Sequence, residues 1–276
     1  MAPNYDFRLS IVLSTHQAQF EAVAFKGDFE ANITKIAEWG YDGVELAIRD
    51  PDLVDVDMLE KVLAEHGLKV PAIGTGQAWG EERLSFTNPD KEVRNAAITR
   101  IKRHIQLAKR LNALVIIGLI RGITPPGQPK QQSMRFLQKC LKECAEDAFI
   151  HGVRLAMEPL NRYETDLIHT ADELLELIHL IDSPNLGLLL DTFHMNIEEP
   201  ILEDCILRSG EYIFHFHVAD SNRWYPGGGH LDFGVILHTL KSVGYQGWIS
   251  GEFMPLPDPD TAAQRSIAFL KQIILT

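Results

Sequence analysis

Three cysteines in 276 residues are too few and too irregularly placed for a disulfide framework, and Cys140, Cys144 and Cys205 lack the spacing of a zinc knuckle. A reducing compartment, the cytoplasm, is the expectation. Long hydrophobic runs are also missing. No apolar stretch approaches the roughly 20 residues that cross a bilayer, and the opening Met-Ala-Pro-Asn-Tyr-Asp has no basic region followed by an apolar one. Neither a membrane span nor an export signal is expected. Positive charge is in short supply: 26 Lys and Arg face 38 Asp and Glu, a formal net charge of -12, which repels nucleic-acid phosphates and anionic lipid. The first apolar run is not followed by Gly-x-Gly-x-x-Gly, so a dinucleotide site has no support. Repeats, linkers and low-complexity tracts are absent.

The chain does carry a 45% hydrophobic composition, enough for a sizeable core, with its 20 Gly and 14 Pro scattered. Its length suits one domain over residues 1–276, because single α/β barrels run near about 250 residues. A strand and helix rhythm runs from end to end. Apolar strands are expected at 9–13, 44–48, 70–74 and 113–118, and then in runs ending at Glu158, Asp191, His217 and Glu252. Helical spacing falls at about 28–39, 55–66, 89–111, 131–151, 171–181, 198–208, 233–243 and 260–274. Eight such units give a parallel sheet with right-handed crossovers, and eight can close it into a (β/α)8 TIM barrel. An open doubly wound sheet is the alternative.

Four consecutive strands in the second half end in a metal-competent side chain: Glu158, Asp191, His217 and Glu252. In a parallel barrel these lie at one rim, the end where such barrels keep their active sites. Three carboxylates buried together need a cation, and an oxygen-rich set with one nitrogen suits a single divalent ion, manganese first and magnesium or cobalt next, better than a thiolate zinc site.

The segments Glu158-Pro-Leu-Asn-Arg-Tyr-Glu164, Asp191-Thr-Phe-His-Met-Asn-Ile-Glu-Glu199, His215-Phe-His217, Gly229-His-Leu-Asp232 and Gly251-Glu252 resemble those of the ketose 3-epimerases. That group, acting on D-tagatose and D-psicose, belongs to the xylose-isomerase-like barrels. The resemblance implies metal ligands at Glu158, Asp191, His217 and Glu252. It also implies acid/base carboxylates at Glu158 and Glu252, and sugar-contacting residues at Glu164, His194 and Arg223. Epimerisation beside a ketone removes a weakly acidic C–H proton, and a metal chelated by the carbonyl and adjacent hydroxyl stabilises the resulting enediolate. One carboxylate on each face of that planar species inverts the centre. The family further implies a homodimer or homotetramer.

Outside those motifs, Glu45 on the second strand is read as binding sugar hydroxyls or supporting the metal ligands. Gln77 and Trp79 are read as walls of the pocket, and His230 and Asp232 as supports of the last loop and its helix. Arg121, just past the fourth strand, departs from the family and is read as a site for a phosphate or carboxylate on the substrate, with a plain salt bridge to Glu158 or Glu164 as the alternative. The other functions weighed are an aldose-ketose or hydroxypyruvate-type isomerase, action on a charged sugar or keto-glycoside, an apurinic endonuclease and a non-catalytic subunit. The endonuclease needs several zinc ions and many strand-end histidines, for which the early strands offer chiefly His16. A non-catalytic subunit should have lost a ligand, and all four are present.

Overall fold

The computed structural model describes residues 7–275, the side chain of Leu275 excepted; the opening hexapeptide read above for an export signal lies outside them. Nine parallel strands form one sheet: β1 (Arg8–Ser14), β2 (Phe25–Lys26), β3 (Gly43–Ala47), β4 (Ala72–Gly74), β5 (Leu114–Ile117), β6 (Leu155–Met157), β7 (Leu186–Asp191), β8 (Ile213–Val218) and β9 (Trp248–Gly251). β9 pairs back onto β1, which closes an eight-stranded barrel, with the short β2 added beside the last two residues of β1.

The surrounding helices are α1 (Phe29–Glu38), α2 (Val56–Glu65), α3 (Gly76–Glu82), α4 (Lys91–Leu111), α5 (Lys130–His151), α6 (Ala171–Ile181), α7 (Thr192–Glu198), α8 (Leu202–Ser209), α9 (Phe233–Ser242) and α10 (Pro259–Leu275). Their starts follow the local chemistry. Asp90 caps α4 through the Glu92 amide, and Thr170 with Glu173 forms a reciprocal capping box on α6. Asp232 caps α9 through the Val235 amide, as its position in the sequence suggests.

The elements depart from the sequence reading at identifiable residues. The third expected strand is trimmed to Ala72–Gly74, since Pro71 has no N–H for a ladder. The helix expected at 198–208 is α8, which starts only at Leu202 because the chain leaves helical conformation at Glu199-Pro200. α3, α7 and β2 were not anticipated.

Because side chains alternate across a strand, the barrel has two apolar layers. The larger runs between strands and helices, from Phe7 to Leu270. Inside the barrel, Ala72, Leu114, Ile116, Ala156 and Leu189 form one small cluster, and Val12, Val23 and Ala47 another. The same alternation aims the polar rim. Two residues beyond the interior Ala156 stands Glu158, two beyond Leu189 stands Asp191, and two beyond the buried His215 stands His217. A register shift at Leu188/Leu189 lets β7 and β8 finish with Asp191 directly opposite His217.

Candidate metal centre and sugar site

The four strand-end residues meet. One atom each from Glu158, Asp191, His217 and Glu252 lies within 4.8 Å of all the others. His217 Nδ1 is 3.9 Å from Glu158 Oε1, from Asp191 Oδ2 and from Glu252 Oε2. Two ligands each about 2.1 Å from one ion lie at most about 4.2 Å apart, so the three separations from His217 have the size of a coordination sphere.

The hydrogen bonding fits the same conclusion. Glu158 Oε1, Asp191 Oδ2 and His217 Nδ1 are buried with no hydrogen-bond partner, while the remaining polar atoms on two of these side chains are engaged. Asp191 Oδ1 accepts from the Phe193 amide at 2.7 Å, capping α7 and leaving Oδ2 to face inward. His217 Nε2 donates to Glu45, 3.0 Å from each carboxylate oxygen, which sets the tautomer and leaves the Nδ1 lone pair for a cation. Without a cation such a group of charges is costly. Burial, then the neighbouring Glu252, pushes the Glu158 carboxyl well above its usual range, and burial raises Asp191 too and brings Glu252 up to about 7. Burial alone would lower His217, but Glu45 and the cage carboxylates raise it to about 10.

Around the cage, His194 Nδ1 accepts from Asn161, 2.8 Å from the side-chain amide, so its proton sits on the unpartnered Nε2, 3.7 Å from Glu158 Oε1. Burial, followed by the charge of Arg223, holds this imidazole neutral. Arg223 has φ 62, in the left-handed region, and lies between Phe20 and Phe193, with its guanidinium carbon 5.2 and 4.7 Å from the ring centroids. It donates to Glu164 at 2.7 Å and reaches Glu252 at 3.4 Å. The left-handed conformation persists because Asp220 holds the loop, accepting from the amides of Ser221, Gly227 and Leu231. A cavity of about 260 Å³ opens over the cage, walled by Phe20, Gln77, Leu119, Leu160 and Glu81. A concavity of about 680 Å³ at the opposite end of the barrel is larger but has no convergent carboxylates. Convergent polar groups, not size, mark the site.

Glu158, Asp191, His217, Glu252, His194, Glu164 and Arg223 therefore gather in one place. Of the two readings of Glu45 the support of a metal ligand is the one that holds, and the reading of Arg121 is corrected. Glu45 borders the cavity, but its oxygens accept from His215 at 2.7 Å and from His217, so it orients a cage imidazole and is not a free sugar ligand. Arg121 is wholly buried, and its guanidinium donates to the main-chain carbonyls of Gly118, Ile117, Glu158 and Ile168, turned away from the cavity. It neither reaches a substrate anion nor forms the alternative salt bridge. Trp79 is absent from the cavity wall, whereas Gln77 belongs to it. Sequence reasoning gave no role to Asn161, although it lies inside the Glu158–Glu164 run, or to Glu81, which sits on the unforeseen α3 and pairs with His16 and Arg49.

A closed eight-stranded barrel with a carboxylate and histidine cage at its C-terminal rim is the architecture of a metal-binding (β/α)8 barrel. The sequence pattern of the xylose isomerase-like TIM barrel family matches residues 33–273, and the chain belongs to that family, close to its ketose 3-epimerases. The ketose 3-epimerase of Arthrobacter globiformis is 30% identical, with 82% of this chain and 79% of that protein covered. The 3-dehydro-D-guloside 4-epimerase of Escherichia coli is 27% identical over 86% of this chain and 91% of that protein. A solved structure of L-ribulose 3-epimerase superposes with a TM-score of 0.83 at 28% identity, covering 97% and 94% of the two chains.

Proposed function

We propose that this protein is a divalent-metal-dependent epimerase that inverts C3 of an uncharged ketose, as a single barrel domain. The carrying observation is the cage itself: three unpartnered buried ligand atoms, closed by Glu252, with Glu158 and Glu252 on strands three positions apart. The two carboxylates consequently approach a bound sugar from different sides. Glu158, Asp191, His217 and Glu252 would hold the ion, manganese foremost, which when bound acts as a Lewis acid on the ketose carbonyl and its neighbouring hydroxyl.

The protein's own groups do the rest. One of Glu158 and Glu252 removes the C3 proton and the other returns a proton to the opposite face. The neutral His194 offers its Nε2 proton to a substrate oxygen, and Arg223, fixed by two rings and two carboxylates, holds hydroxyls. The lining also argues for the substrate's charge. Glu45, Glu81, Glu158, Glu164 and Glu252 border the cavity, and its one arginine, Arg223, is already paired. A phosphate would find no free cation there. The volume lies below the roughly 300–1,000 Å³ usual for ligand pockets, which suits a monosaccharide.

A second reading, epimerisation of a keto-glycoside at C4, is favoured by the similarity to the Escherichia coli enzyme. Assembly as a homodimer or homotetramer, and a cytoplasmic site, complete the proposal. The unpaired state of all three cysteines, and the lack among the described residues of a helix long and apolar enough to cross a membrane, are compatible with that location. The test is a panel of free ketoses, phosphorylated ketoses and keto-glycosides, each with manganese. Inversion of neutral ketoses at C3 is expected; turnover confined to phosphorylated sugars, or to C4 of glycosides, contradicts the proposal.

A further inference from the structure

Arg121 stands first by size among the side chains wholly removed from solvent, and it lies against the cage without joining it. It follows β5 in a tight turn, Leu119–Arg121, and all its hydrogen bonds go to main-chain carbonyls. Nε donates to Gly118 O at 3.1 Å, Nη1 to Ile168 O at 3.4 Å, and Nη2 to Ile117 O at 3.4 Å and to Glu158 O. It makes no ion pair with a carboxylate among the described residues; the negative charges of Glu158 and Glu164 act on it from further away. A buried cation supported in this way is costly, and a plain core would have used an apolar side chain.

The three segments it joins explain its presence. They are the end of β5, the main chain of Glu158, and Ile168, a β-branched residue with φ 59, a conformation such residues rarely adopt. Strained backbone persists only where its surroundings over-determine it. Ile168 O accepts from the Leu160 amide at 3.2 Å as well as from Arg121, so the fork closes the loop running from Glu158 past Asn161 and Glu164 to Ile168. That loop supplies a cage ligand, the residue that sets the His194 tautomer and the partner of Arg223. A lysine ammonium keeps the charge but cannot span the four carbonyls as a planar fork does.

We propose that Arg121 is a positioning residue: by gripping the Glu158 carbonyl together with Ile117, Gly118 and Ile168, it fixes the direction in which the Glu158 carboxylate enters the cage. The proposal rests on the reading of Glu158 as metal ligand and base. It is tested on the full chain with Arg121→Lys and Arg121→Gln, by manganese affinity in competition with a chromophoric chelator, steady-state kinetics on a neutral ketose, the unfolding midpoint in chelator, and a crystal structure of each variant.

A folded variant is expected to bind manganese about 10- to 100-fold more weakly. Its kcat should fall by up to about a hundredfold with KM moving less than about threefold, and the Glu158 carboxylate should be displaced by about 1 Å or more. A folded variant with affinity and kcat within about twofold of the parent and Glu158 in place overturns the proposal. So does the failure of both variants to fold, which assigns Arg121 to stability alone. If the parent protein binds no manganese, the metal reading fails instead, and the position of Glu158 in the variant structures still decides the role of Arg121.

Discussion

The two halves of the barrel rim are built differently. At the ends of β6 to β9 stand Glu158, Asp191, His217 and Glu252, all charged or metal-competent and all turned to one point. At the ends of β1, β3, β4 and β5 the inward positions are Ser14, Ala47, Gly74 and Gly118, all small, with Leu119 and the α3 residues Gln77 and Glu81 closing the cavity behind them. The second half gathers the metal-competent groups and the first half shapes the space opposite them. Glu45 on β3 is the exception, and it works by reaching across to orient His217.

If the halves divide the labour in this way, substitutions in them should fail differently. Glu158→Gln and Glu252→Gln should each lower proton exchange at the reacting carbon by at least about 10²–10⁴-fold with the fold retained, since each change removes a base and a ligand at nearly constant volume. Near-parental exchange in either variant, read by mass spectrometry, would remove that glutamate from the mechanism. Glu45→Gln should weaken manganese binding by about 10- to 100-fold, because the amide cannot accept from two imidazoles as a carboxylate does. Unchanged affinity would return Glu45 to the sugar. Leu119→Ala, in the opposite wall, should leave metal affinity alone and change the ratio of kcat/KM between two ketoses by about tenfold. A loss of metal binding there would break the comparison.

The smallest effect concerns protons. In the metal-free protein the Glu252 carboxyl is raised from 4.5 to about 7, so the folded state binds more protons than the unfolded chain and stability falls as pH rises through that window. His217, raised from 6.5 to about 10, stabilises fully below about 6.5 and loses its contribution toward about 10, with the same sign. The buried His104, His194 and His215, lowered by burial, act with the opposite sign below about pH 7, so the unfolding midpoint in chelator should drop by a few degrees between about pH 7 and pH 9, and manganese should release protons on binding and reverse the drop. A flat midpoint in chelator would show that the cage is not strained by its own charge.

The half that carries the cage was legible because its signal is local: a short apolar run that stops at a carboxylate or imidazole marks a strand end at the rim. The first half was harder. α3 contains Gly76 and Gly80, poor helix formers, and its cavity residues Gln77 and Glu81 project from a helix the pattern does not announce. α7 begins directly after β7 with Asp191 itself as cap, leaving no loop to mark its start, and Pro200 holds back the start of α8 to Leu202. Arg121 was read as a rim group meeting a substrate anion, or Glu158 or Glu164, because it stands just past the fourth strand. Its inward turn depends on carbonyls from Glu158 and Ile168, far along the chain, which no local pattern reveals.

Epimerisation of a neutral ketose in D₂O, with and without exhaustive removal of metal, tests the central claim most directly. With manganese, the C3-inverted product should carry deuterium at C3, because the carboxylate that returns the proton exchanges with solvent, and after chelation both inversion and labelling should stop. Inversion at C3 without deuterium, or undiminished turnover after chelation, would contradict two carboxylates acting across a metal cage.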